Sequence, residues 1–584
     1  MTNHDVASLL RRIADTLEIK GEVVYKSLAY RKAADSIDAL GVDINDLWRQ
    51  GTLREIPGVG EALEKKLGEL LGTGRLGYYD ELQAQVPPGV VELLTIPEVG
   101  PRTARLLWEE LGALSIADVE SAARSGRLRA LPGLGERSEQ RILDGIESLQ
   151  KRSRRIPLGV AWPVAQELVQ DLRRRLKVKT IEAVGSLRRM KDTIGDIDLL
   201  AAHGEPGSAT EAFVGLPQVA QVLSHGPTRA SVLLHNGLQV DLRALPSERY
   251  GSLLQYFTGS QAHNVALRAL AQSQGLSLSE YGFQRGDREI LCPTEKEVYA
   301  TLGLPWIPPE LREDRGELQA ARAGNLPRLV KRGDLRGDLH VHTDWSDGTS
   351  TLSEMAAAAQ KLGYEYLVVS DHTQSLGVAN GLDRTRLRQQ RAEIARLNKR
   401  FSEFRLLQGV EVEIRADGSL DFGDDVLSEV DVVIGSVHMA QRQNEETITA
   451  RVLRAMRNPH VDIIGHPSGR LLGEREASRV DLGRVVQAAA ETGTILEVNS
   501  TPNRLDLDDV HIRQAVELGV LVSINSDAHS SEHLSFVDYG VATARRGWAE
   551  PHDVVNTWRL KPLLDLLTRK KPGHKGSSID VLCI

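Results

Sequence analysis

The segment GDLHVHTDWSDG at 337–348 restricts the fold of the C-terminal half more than any other feature. His340 and His342 are two apart on an apolar run, and the period of a β-strand sends both imidazoles to one face. Asp347 follows in a turn. Further on, apolar strand candidates at 364–370, 405–410, 431–437, 461–465, 494–498 and 520–525 alternate with amphipathic helices. Continuous apolar runs are the mark of parallel strands buried on both faces. About 240 residues of such β/α alternation predict a barrel.

At or near the ends of these strands stand His372 (SDH), Glu411 (GVE), His438 (SVH), His466 (GHP), and Asp527 and His529 (SDAH). In a parallel barrel the C-terminal strand ends open at one mouth. Nine nitrogen and oxygen ligands scattered in sequence are therefore expected to meet. None is a thiolate, so zinc, manganese or iron suits them better than a softer metal. Histidine is concentrated here, with 11 of the 16 beyond residue 330. His460, His511, His533, His552 and His574 fall outside the pattern and read as surface or structural residues.

In order and spacing these nine residues resemble the PHP family, the polymerase-and-histidinol-phosphatase domains. The resemblance implies a distorted (β/α)7 barrel with up to three Mn2+ or Zn2+ ions, bridged by Glu411, that hydrolyses phosphoesters.

The first 150 residues read as short helices punctuated by a repeat: IPGVG at 56–60, IPEVG at 96–100 and LPGLG at 131–135. A Pro-x-x-Gly turn that opens a helix offers backbone N–H groups and the positive helix end to a phosphate, without reading bases. Gly58, Gly60, Gly100, Gly133 and Gly135 are the DNA-binding candidates. The segments resemble helix-hairpin-helix motifs, although Glu98 replaces the expected glycine in the second copy. The net charge of −8 conceals 12 basic and 3 acidic residues between Lys151 and Lys191, a local excess suited to a polyanion.

Strands are expected at 179–184, 194–202, 231–234 and 238–244, and helices at 163–176 and 261–274. GDIDLL places Asp196 and Asp198 two apart on a strand, on one face, and Asp241 in LQVDLR sits on another. Neighbouring carboxylates repel, and a divalent cation relieves them. Three suit two Mg2+ or Mn2+ ions, which can activate a hydroxyl and neutralise a phosphoryl group in transfer. Upstream, Gly185 and Ser186 with Arg188 and Arg189 make a triphosphate cradle.

This is the nucleotidyltransferase arrangement, and LLQYFTGSQAHNVALRALAQSQG narrows it. The segment resembles the nucleotide-binding region of family X DNA polymerases, the polymerase beta relatives. By that resemblance Tyr256, Phe257, Thr258 and Gly259 bear on the incoming sugar, and the aromatic pair excludes a 2′-hydroxyl. Asn264 and Arg268 contact the nascent base pair, and Arg189 touches the triphosphate. AYRKAA and IPGVGEALEKK look like the family's lyase domain. Lys66 matches the Schiff-base lysine, Lys26 and Tyr30 match phosphate-side positions, and Ala62 replaces another lysine of the pattern.

The expectation is multidomain: an α-helical helix-hairpin-helix N-terminal region, an α+β nucleotidyltransferase palm and thumb, and a C-terminal distorted (β/α)7 PHP barrel. Boundaries are expected at 1–90, 91–150, 151–245, 246–318, a linker at 319–334 and 335–575; the paired prolines of LGLPWIPPELRED, just ahead of the linker, stop any helix. Beside a polymerase the barrel's substrate would be a DNA 3′ end. The implied activity is a 3′→5′ exonuclease, with 3′-phosphatase or abasic-site endonuclease action as alternatives.

Gapped or nicked DNA and dNTPs are the expected partners of a monomer. A DNA-binding scaffold carrying a phosphatase is the alternative from another class, and transfer to RNA or a small acceptor is a third reading. No apolar run approaches the roughly 18 residues of a membrane span. The N-terminus has no signal-peptide core. Two cysteines, Cys292 and Cys583, make no disulfide framework. A cytoplasmic protein is expected.

Overall fold

The computed structural model describes residues 1–568 apart from 2, 39–43, 57, 97, 98, 154, 179, 442, 474 and 476. Glu98, His574 and Cys583 therefore lie outside the described residues.

Helices Asn3–Lys20, Val24–Asp38, Ile44–Gln50, Glu61–Thr73 and Gly77–Gln85 close around one apolar core that includes Leu10, Ile13, Leu63 and Leu67. A second core gathers Val90, Leu107, Val119 and Ile142 from helices Pro88–Glu92, Pro101–Leu111, Ile116–Arg124 and Glu136–Ser153. Each such buried aliphatic side chain contributes about 1.5–3 kcal/mol. Ile19 of the first helix is buried in the second core and ties the two helical units together.

Next come a short antiparallel pair, β1 (Ile156–Pro157) with β3 (Thr193–Ile194), and a five-stranded sheet. The sheet runs β2 (Ile181–Ala183), β4 (Ile197–Ala202), β7 (Gln239–Leu245), β6 (Arg229–Leu234), β5 (Val219–His225). Only β4 and β7 are parallel neighbours. The sequence reading passed over β5, a largely exposed edge strand with no alternation of apolar and polar residues. Helix Leu158–Leu176 starts five residues ahead of the expected position, with Pro163 inside it. Proline there removes one i→i−4 bond, and the buried side chains Leu158, Ala161 and Ala165 outweigh that loss.

Helices Tyr250–Thr258 and Gln261–Ser273 lead into a small antiparallel sheet of β8 (Ser277–Ser279), β9 (Gly282–Arg285) and β10 (Arg288–Ile290), followed by helix Glu295–Thr301. The segment expected as a linker is folded. It carries part of helix Glu317–Ala323, and its Ala321 and Leu329 are buried in the core of this subdomain. Val330, the next residue, is buried in the barrel core. Apolar side chains spaced to reach both cores turn a candidate tether into a joint.

The C-terminal half is a seven-stranded parallel sheet in sequence order: β11 (Gly337–Val341), β12 (Tyr366–Val369), β13 (Arg405–Glu413), β14 (Val432–Ser436), β15 (Ile463–Ile464), β16 (Ile495–Asn499) and β17 (Val522–Asn525). Its ends meet. The His342 N–H donates to Ala528 O at 2.8 Å and the Asp527 N–H to His340 O at 3.0 Å. The barrel also packs on the polymerase-like half. Leu505 is wholly buried in the palm core, Trp548 joins the core of the following subdomain, and Arg470 pairs with Asp192 at 3.1 Å. No helix among the described residues is long and apolar enough to cross a membrane.

Candidate functional site

In the palm, parallel pairing of β4 and β7 sets Asp198 directly beside Asp241. Both therefore occupy one face of the sheet. Asp196 lies in the short connection just before β4 and not on the strand. Burial, then Asp241 and Asp196, push the Asp198 pKa up to about 6. Asp241 is held by Arg229, which donates to Oδ2 at 3.0 Å, while Gln239 reaches Oδ1 at 3.4 Å. Among the described residues, the groups whose ligand atoms all lie within 4.8 Å of one another are in the barrel, so the palm carboxylates are aligned but not gathered.

Gly185 adopts φ +67° at the start of the short helix Gly185–Arg188, and a Cβ there would sit 3.2 Å from Asp198 Oδ2. Ser186 follows on the same turn. The YFTG helix ends beside it, with Tyr256 and Phe257 edge to face at 5.2 Å and the Arg243 guanidinium 4.7 Å over the Phe257 ring.

Three residues expected at the nucleotide are otherwise engaged, the first being Arg188, which donates to both oxygens of Glu295 at 2.6 and 3.0 Å. Arg189 is nearly buried, donating from Nε to Glu313 at 2.9 Å and from Nη1 to Thr258 O at 2.8 Å. A triphosphate would compete with Glu313 for this guanidinium. Asn264 donates to Tyr256 O at 2.7 Å and accepts from Gln255 at 2.9 Å, bracing the turn after Gly259. Arg268 lies in a groove it shares with Asp5, Asn45 and Arg49 of the N-terminal helices.

The first and third hairpins share a positive-φ glycine and a glycine at the start of the next helix. Gly58 and Gly133 take φ of +91° and +80°, values that glycine adopts freely. Gly60 and Gly100 are the N-caps of helices Glu61–Thr73 and Pro101–Leu111, and Gly135 immediately precedes helix Glu136–Ser153. The first N–H groups of each helix have no intrahelical partner. Pro101 removes one such donor from the second copy. Nearby, Lys66 Nζ donates to the Tyr30 hydroxyl at 2.5 Å and stands 3.1 Å over the Tyr78 ring. Burial, then the positive charge of Lys26, hold its pKa below the usual lysine value.

At the barrel mouth all nine expected residues converge. Glu411, nearly inaccessible close to the C-terminal end of β13, is the hub. Its Oε2 faces His372 Nδ1 at 2.9 Å, His340 Nε2 at 3.4 Å and His342 Nε2 at 3.6 Å. Its Oε1 faces His466 at 3.0 Å and His438 at 3.3 Å. Asp527 Oδ1 lies 3.1 Å from His342 Nε2, and Asp347 lies 3.5 Å from both His372 and His529. Three ligand groups result: His342, Asp347, His372 and His529; His340, His342 and Asp527; His372, Glu411 and His438. His342 and His372 each serve two of them.

Burial resists charge on His372, but Glu411 and Asp347 outweigh it and push its pKa up to about 10. Burial, then His372 and His529, drive His342 down to about 3. His342 Nδ1 and His466 Nδ1 are buried with no hydrogen-bond partner. Such a donor set, with unmatched imidazole nitrogens around a buried carboxylate, fits divalent cations.

Sequence reasoning missed the residues that hold these ligands. Glu497 accepts from His340 Nδ1 at 2.7 Å, and Glu413 accepts from His438 Nδ1 at 2.9 Å while Arg451 donates to it at 3.1 Å. Orienting a ligand imidazole through its second nitrogen is the usual role of such carboxylates. Asp371 accepts from the Thr343 N–H at 2.7 Å and from Gln390 at 2.6 Å, pinning the loop that carries Asp347. The available signal was a charged residue inside an apolar strand, as in GVEVE and ILEVN.

Residues 1–76 match a helix-hairpin-helix domain, 90–148 a SAM-like helix-hairpin-helix tandem, 253–313 the DNA polymerase beta thumb and 338–501 the PHP domain. The chain is 38% identical over 573 residues to the DNA polymerase/3'-5' exonuclease PolX of Bacillus subtilis, covering 97% of this chain and 100% of that protein. DNA polymerase lambda of Rattus norvegicus is 27% identical over 53% of this chain and 56% of its own length. A probable phosphatase of Thermoanaerobacter is 28% identical over 41% of this chain and 98% of its own length. With a full-length relative of that similarity and thumb and barrel families in the expected order, the chain belongs to the PolX family, the family X DNA polymerases that carry a C-terminal PHP domain.

Proposed function

We propose that this protein is a DNA-directed DNA polymerase that fills short gaps in DNA repair and carries a 3′→5′ exonuclease in its barrel. The observation that carries the polymerase reading is the side-by-side placement of Asp198 and Asp241 under the Gly185–Ser186 turn. Asp196 and Asp198 would hold two Mg2+ or Mn2+ ions and Asp241 the one nearer the primer 3′-hydroxyl. Bound there, the ions lower the hydroxyl pKa and neutralise the transferring phosphoryl group. Gly185 and Ser186 present backbone and hydroxyl donors to the triphosphate. Tyr256 and Phe257 wall the sugar and exclude a 2′-hydroxyl. The hairpins hold the duplex by its phosphates, and Lys66 is the candidate Schiff-base amine of a lyase.

In the barrel, His340, His342, Asp347, His372, Glu411, His438, His466, Asp527 and His529 would hold up to three Mn2+ or Zn2+ ions. Such ions turn water into a hydroxide nucleophile at neutral pH. Glu497 and Glu413 keep His340 and His438 in the ligating tautomer. The protein would act as a cytoplasmic monomer on gapped or nicked DNA with dNTPs. Full-length similarity to a polymerase/exonuclease disfavours the DNA-binding scaffold.

A labelled primer on a one-nucleotide gap tests both activities. Extension with dNTPs in Mg2+ or Mn2+, and shortening of the same strand without dNTPs in Mn2+, are expected, and EDTA should stop both. A primer that is never extended overturns the polymerase reading.

A further inference from the structure

Three other arginines of the barrel are matched by oxygen acceptors. Arg451 donates to Glu413 and to Met439 O, and Arg386 to backbone oxygens of Asn380 and Trp345. Arg470 is taken up by Asp192 and by the carbonyls of Arg504 and Leu505.

Arg504 differs. Its side chain is only 20% exposed, and among the described residues its ion-pair partner is Asp527, with Nε 3.8 Å from Oδ2, beyond hydrogen-bond distance. Asp527 does not need it. Oδ2 already accepts from Asn499 at 3.0 Å and Oδ1 faces His342 at 3.1 Å. A guanidinium offers five donors in a flat fork that fits a phosphate bidentately. With a fifth of the side chain exposed, those donors are open to an anion that arrives beside Asp527.

The backbone that carries this side chain is fixed. The Arg504 N–H donates to Thr501 O at 2.7 Å, its carbonyl accepts from Arg470 at 2.9 Å, and the next residue, Leu505, takes φ +48° and is wholly buried. The guanidinium is thus held beside a ligand of the barrel centre.

We propose that Arg504 is the phosphate clamp of the nuclease site: it binds the non-bridging oxygens of the scissile 3′-terminal phosphodiester and the charge that builds on them as the bond to the leaving oxygen breaks. The assignment rests on the nuclease reading of the barrel. It adds a guanidinium beside a centre whose nine candidate ligands are imidazoles and carboxylates.

The full chain tests this with a single-stranded DNA oligonucleotide in Mn2+. Arg504→Ala should lower exonuclease kcat/KM about 10- to 100-fold, the loss expected for a charge-assisted hydrogen bond. The inhibition constant of inorganic phosphate should rise about tenfold in the same assay. Arg504→Lys should recover part of the charge but not the fork. Bound Mn2+ per chain should match the unsubstituted protein, and primer extension reports folding. An unchanged kcat/KM and phosphate inhibition, or loss of Mn2+ alongside activity, overturns the assignment. No nuclease activity in the unsubstituted protein with Mn2+ bound would instead overturn the nuclease reading itself.

Discussion

Glu313 accepts from Arg189 Nε at 2.9 Å and from Arg546 of the barrel at 3.0 Å. One carboxylate thus draws together the palm, the thumb and the C-terminal half. Arg546 also donates to the Arg189 carbonyl at 2.8 Å and to Asp509 at 2.6 Å. A residue expected at the triphosphate is here part of a buried ion-pair chain.

Glu313 and an incoming triphosphate would compete for Arg189. Glu313→Gln is expected to lower the KM for dNTP several-fold, and Arg189→Ala to raise it about tenfold, in steady-state extension of a gapped primer. An unchanged KM in Glu313→Gln would assign Arg189 to the ion-pair chain alone.

Removing a palm carboxylate should separate the two activities. Asp198→Ala, Asp196→Ala and Asp241→Ala are each expected to cut incorporation roughly 1,000-fold or more, several kcal/mol of charge stabilisation. Degradation of single-stranded DNA by the same proteins should persist. Incorporation within about tenfold of the parent would place the site elsewhere.

The barrel gives the converse. His340→Ala or His342→Ala should abolish exonuclease activity and spare most synthesis. Glu497→Gln and Glu413→Gln should weaken metal binding about 10- to 100-fold, measured as the Mn2+ concentration for half-maximal nuclease activity. An unshifted Mn2+ dependence would mean that the outer carboxylates do not orient His340 and His438.

Lys66 has a pH signature. Burial and Lys26 both lower its pKa, so more of the amine is neutral at pH 7 than in an exposed lysine. Lys26→Ala removes one of these causes and lets the pKa rise. Borohydride trapping on saturating abasic DNA should then slow at pH 7 and recover as pH increases. Lys66→Ala should give no adduct at any pH. An adduct of equal yield would move the Schiff base to another lysine.

Much of this protein is written locally. A two-residue period fixes that His340 and His342 share a face. The apolar runs from 364 onward place β12 to β17 within a few residues, because strands buried on both faces must be continuously apolar. Gly58 and Gly133 announce backbone that needs positive φ. The order of GS, the aspartates and YFTG is a one-dimensional signal, and so is the scatter of His and Asp at strand ends.

What lay beyond the sequence depends on partners distant along the chain. Closing β11 against β17 is what brings Asp527 and His529 to His342. Glu413 and Glu497 differ from ordinary acids only because folding sets them against imidazoles, and Arg189 only because Glu313 and Arg546 arrive from two other domains. Periodicity constrains which way a side chain points. Which charge waits there is decided by tertiary packing, where burial makes each pairing costly to leave unmade.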